Sequence, residues 1–126
     1  MQERVDLVDV DTVVVVPVLI RVLTDETVAV FPDPVTVFQG EKLEWIAEEG
    51  QFVVEFKAAD GKPFGQNRYE SNGNGRRRVG PHNIGGDVPT THDYGLTVTI
   101  GTSVFTLDPT VEADPRTRPE RDKPNR

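Results

Sequence analysis

His82 and His92 are the only imidazoles in this 126-residue chain. With Asp87 or Asp93 they could form the two-histidine, one-carboxylate set that holds a harder metal ion. Ten positions of glycine-rich sequence, "HNIGGDVPTTH", separate them, so the spacing alone fixes little geometry. The plainer reading makes both of them loop residues in water. Arg76, Arg77 and Arg78 form the second cluster. Three guanidiniums in a row could engage phosphate, nucleic acid or an acidic protein surface. No aromatic residue interleaves with them, and the formal net charge is -7, with 21 acidic against 14 basic residues. That balance opposes binding to a polyanion. The arginines read as a solvated loop tip that a protein partner could contact.

Other chemistry is missing. Cysteine is absent, which removes disulfides, thiolate ligands and cysteine nucleophiles. Ser71 and Ser103 are turn residues, outside any nucleophile elbow. No carboxylate has the surrounding burial pattern that acid–base work needs. "GNG" at 73–75 lacks the strand and helix that frame a phosphate loop. The chain therefore reads as non-enzymatic, with no cofactor implied.

The elements that would position these residues are strands. Valine and threonine dominate the aliphatic content, and 10 prolines and 11 glycines punctuate the sequence. No window carries a helical apolar stripe. Val10–Leu23 is nearly continuously apolar, as in a strand covered on both faces, with Pro17 calling for a sheet edge or a bulge. Its run "VVVVPVLI" follows acidic residues and precedes no small-residue cleavage site. It therefore does not read as a signal peptide, and it is too short to span a bilayer. This favours a cytoplasmic setting.

Shorter strands follow at Thr27–Phe31 and Val35–Phe38. Leu43 and Trp45 alternate with Glu44, and Phe52, Val54 and Phe56 alternate with polar positions. Residues 64–91 read as one long loop with two Asn-Gly turns. Leu96, Val98 and Ile100 alternate after Tyr94, "GTS" turns the chain, and Phe105 and Leu107 return. "DPTVEAD" is a last extended piece. The expected core comprises Trp45, Phe52, Phe56, Leu96, Val98, Ile100 and Phe105. Tyr94 is expected to bond backbone through its hydroxyl at a sandwich corner, and Tyr69 is less constrained. Residues 115–126 hold no apolar side chain and read as a disordered, basic, proline-rich tail. Residues 1–114 thus form an all-β, two-sheet antiparallel sandwich of about seven or eight strands.

"VTVFQGEKLEWIAE", with Gly40, Glu41, Leu43 and Trp45, resembles the cupredoxin pattern of a strand followed by Gly-acidic-x-apolar-x-Trp. "HDYGLTVTIGTSVFTLDPTVEAD" is similar to the closing part of such domains, whose last strand follows Asp-Pro, here Asp108-Pro109. The resemblance covers residues 27–113 and implies a cupredoxin-like or immunoglobulin-like sandwich. Copper-binding members carry a histidine after the tryptophan strand and Cys, His and Met near the final hairpin. Here "GQFVVEF" has no histidine, the final hairpin has no cysteine, and the one methionine is Met1. A blue-copper site needs a thiolate. The resemblance therefore implies the fold without the metal.

Three functions remain open. The first is an interaction module that docks other proteins or copies of itself, through Pro17 on the first strand or through Arg76–Arg78. The second is a subunit of a self-assembling fibre, shell or surface layer, whose first strand completes a neighbour's sheet. The third is a metal protein using His82 and His92. Neither nucleic-acid binding nor membrane insertion is expected.

Overall fold

The computed structural model describes residues 14–23, 27–57, 62–81 and 88–117. These form ten strands: β1 Val15–Val22, β2 Val28–Phe31, β3 Val35–Phe38, β4 Lys42–Ala47, β5 Gln51–Phe56, β6 Arg68–Glu70, β7 Arg76–Val79, β8 Thr90–Ile100, β9 Ser103–Leu107 and β10 Thr110–Asp114. The first sheet has the order β2-β1-β4-β7 and the second β3-β10-β8-β5-β6, with β9 also on β8. The all-β sandwich is therefore present. Each sheet contains one parallel pair, β1 with β4 and β3 with β10, among antiparallel neighbours. The chain passes between sheets at Pro32–Pro34, where β2 ends and β3 begins. Prolines suit that passage because neither can donate a ladder hydrogen bond.

Period-two patterning builds the core. Val18 and Ile20 of β1, Leu43 and Trp45 of β4, and Phe52, Val54 and Phe56 of β5 turn inward, with Leu96 and Val98 of β8. An aromatic cluster fills one flank. The Trp45 ring lies 5.6 Å from Tyr94, 6.1 Å from Tyr69 and 6.3 Å from Phe56. Burial at this scale is the main stabilising term of such a domain.

Turns are set by glycine where the geometry demands it. Gly50, between β4 and β5, has φ +86° and packs so tightly that an added Cβ would lie 2.5 Å from the Thr99 carbonyl oxygen. Gly101 has φ +62° and closes the β8–β9 hairpin, with Ile100 opposite Ser103.

Four expectations are corrected. Residues 64–91 are not one loop, because β6 and β7 lie within them. Arg76–Arg78 are strand residues, since β7 finds a ladder partner in β4. β1 is covered on one face only: Pro17, Leu19 and Arg21 are exposed. Phe105 and Ile100 are only partly buried, packed against the rim of the core. The edge expected at Pro17 exists locally. β2 pairs only with Leu19–Val22, so among the described residues nothing pairs with Pro17 on that side.

The first residues of the tail are also placed. The Arg116 carbonyl accepts the Gln39 N–H at 2.9 Å, and its guanidinium grips Asp114 at 2.6 Å. Residues 118–126, with the rest of the expected disordered tail, lie outside the described residues.

Candidate functional site

Strand alternation puts one set of β1 side chains on the outer face of the first sheet. Leu19 stands between Phe31 of β2 and Ile46 of β4, and Ile46 faces Arg76 of β7. The row Phe31–Leu19–Ile46 is apolar and uncovered, with Phe31 47% and Leu19 39% exposed. Pro17 lies in the next row, beside Glu44, which in turn faces Arg78. Sequence reading missed this face because continuous apolar residues suggested burial on both sides. The outward parity shared by Pro17, Leu19 and Arg21 was the available signal.

Glu44 is the charged centre of the face. Its side chain is nearly buried between Arg78, 3.3 Å away, and Arg76, 3.9 Å away. Two guanidiniums share one carboxylate, so positive charge is left over along β7. Alternation sends Arg77 the other way, opposite Trp45 and into the mouth of the sandwich. There its guanidinium lies 5.8 Å from the Tyr69 ring centroid and donates to Asn72 Oδ1 at 3.4 Å. Its Nε is buried without a hydrogen-bond partner. An inward charge on an edge strand hinders edge-to-edge pairing.

The two tyrosines exchange their expected roles. Tyr94 is fully buried, and its hydroxyl accepts the Trp45 Nε1–H at 3.0 Å rather than bonding backbone. Tyr69 is the one whose hydroxyl accepts a backbone N–H, from Gln66 at 3.1 Å. Burial pushes the pKa of both phenols above the ordinary value, more strongly for Tyr94.

His92 turns into the interior of the second sheet, in the row Val35–Val111–His92. It is 3% exposed, its Nε2 is 3.0 Å from Thr90 Oγ1, and its Nδ1 has no partner. Asp93 points to the opposite face, where its Oδ1 accepts from Thr110 Oγ1. Adjacent strand residues cannot converge on one ion, so the His92–Asp93 pairing is excluded. His82 and Asp87 lie outside the described residues. Among the described residues no group of three or more His, Cys, Asp or Glu side chains could hold a metal. No helix among them is long and apolar enough to cross a membrane.

The second sheet has an edge of different character. β9, "SVFTL", carries no charge and is hydrogen-bonded only to β8, with Val104 63% exposed.

No protein-family model, curated protein or solved structure matches the chain.

Proposed function

We propose that this chain is a non-enzymatic protein-interaction module on a cupredoxin-like sandwich without copper ligands. Two features support the cupredoxin-like reading. One is the strand order, with the parallel pairs β1–β4 and β3–β10 and a strand that switches sheets at Pro32–Pro34. The other is the final hairpin. In copper-binding members the ligands cluster there, whereas here a tight Gly101-Thr102 turn closes it.

The single observation that carries the interaction reading is the uncovered row Phe31–Leu19–Ile46, bordered by Arg76, Arg78 and Glu44. A contiguous apolar patch with a charged rim is the composition of a protein contact surface. Backbone pairing uses both flanks of β1 over Leu19–Ile20, so the fold itself does not require leucine on the outward side.

Affinity purification from the native source tests the reading, comparing the wild-type chain with Leu19→Glu/Phe31→Glu. Both positions are solvent-facing, so the variant should keep its fold by circular dichroism. Partners captured by the wild type should be lost from the variant and retained by Thr106→Glu on the second sheet. Equal capture by all three chains overturns the reading. The alternative of a self-assembling subunit is favoured by the open edges of β7 and β9.

A further inference from the structure

We propose that residues 8–11 of a second copy, Val-Asp-Val-Asp, add to β7 as a strand, extending the first sheet across a contact between copies. The inference rests on the reading of that sheet as the contact surface.

β7 is an edge, paired only with β4 among the described residues. The Ala47 N–H donates to the Gly75 carbonyl at 2.8 Å. In an antiparallel ladder the bonded pairs alternate, so Trp45–Arg77 and Leu43–Val79 are the next bonded pairs. The main-chain groups of Arg76 and Arg78 therefore point outward. Asn72 takes the Arg76 carbonyl at 2.8 Å. The Arg78 N–H, the Arg78 carbonyl and the Arg76 N–H are left to receive a neighbour.

The side chains specify that neighbour. Arg76 and Arg78 lie on one face with only Glu44 between them. Arg77 lies on the other face with its Nε unpartnered. A complementary strand must carry carboxylates at i and i+2 and small apolar residues between. Val8-Asp9-Val10-Asp11 has that pattern. In an antiparallel register Asp9 stands opposite Arg78, Val10 opposite Arg77, Asp11 opposite Arg76 and Val8 opposite Val79. Opposite charges directly across a ladder stabilise it, and main-chain bonding to an open edge is a general mode of recognition.

Geometry favours a second copy over the same chain. β4 lies between β1 and β7, and Val16 is level with Leu43 and hence with Val79. Followed backward from Val15, the chain leaves the sheet away from Arg76–Arg78. Residues 1–13 contain no Gly, Pro or Asn to reverse it. Each copy has one strand to give and one edge to receive.

Sedimentation velocity of the full chain at increasing concentration tests this. The wild type should self-associate, more weakly at high salt. Asp9→Lys/Asp11→Lys and Arg76→Glu/Arg78→Glu should each associate about a hundredfold more weakly or stay monomeric. An equimolar mixture of the two should associate again, because both contacts in it are complementary. Should Glu44 make the arginine reversal unfold the chain, Arg76→Gln/Arg78→Gln replaces it and should be equally monomeric. A wild type that stays monomeric to about 100 μM, the range expected of a weak contact, overturns the inference. So does self-association that survives either double variant, or a mixture that stays monomeric. In each of those cases selective loss of partners from Leu19→Glu/Phe31→Glu would leave the broader reading standing.

Discussion

β7 and β9 are both open edges, and they meet the same hazard in opposite ways. β7 is short, carries three arginines and presses its middle one into the sandwich against Tyr69. β9 has five residues, no charge and two apolar side chains only half covered at the rim. The β7 flank is backed by the Trp45–Tyr69–Phe56 cluster, whereas β9 hangs from β8 alone. Edge protection is therefore local chemistry rather than a property of the fold. The charged edge also does something the neutral one cannot: it selects among strands that approach it.

The contrast in backing is broken most strongly at Trp45. Trp45→Ala should cost about 3–5 kcal/mol in chemical denaturation, because the ring is fully buried and its loss also strands the Tyr94 hydroxyl. Gly50→Ala tests the other flank. Its positive φ and the Thr99 carbonyl in its way predict a loss of about 2–4 kcal/mol, with β8 and β9 amides losing hydrogen-exchange protection first. Phe105→Ala, on the half-covered strand, should cost only about 1–2 kcal/mol. If Phe105→Ala matched Trp45→Ala, β9 would be core and the contrast would fail.

These unequal weights mark how far the sequence could be read. Alternation around Trp45, Phe52 and Leu96 revealed the sandwich, since period two with aromatic and β-branched residues has few other solutions. It missed β6 and β7, because "RYE" and "RRRV" are too short and too polar to register as strands. Their pairing is enforced by neighbours distant in sequence, β5 and β4. The outer face of β1 was hidden for the converse reason. A patch kept apolar for contact has the same letters as a buried one. Tyr69 and Tyr94 exchanged roles because hydroxyl partners depend on which strands stack, and no local spacing records that.

pH separates the flanks again. Both tyrosines back the β7 side, and burial raises both phenol pKa values from about 10. A raised folded pKa means stability is complete below pH 10 and is lost as the pH climbs through the folded values. Tyrosinate absorbance should therefore appear late and together with unfolding. Absorbance that rises with a free-phenol midpoint while the fold persists would show that the flank is wet.

The smallest expected effect is the sharpest test of edge chemistry. Val104→Lys on β9 and Arg78→Gln on β7 both alter exposed side chains on open edges. Neither should move stability by more than about 1 kcal/mol, since surface changes and exposed ion pairs contribute little. Their effects on self-association should nevertheless diverge. Val104→Lys adds charge to an edge that no acidic strand is arranged to meet, and should leave sedimentation unchanged. Arg78→Gln removes one of the two guanidiniums that face outward along β7, and should weaken association at equal stability. Equal weakening by both would mean that open backbone alone drives the contact, whatever side chains border it.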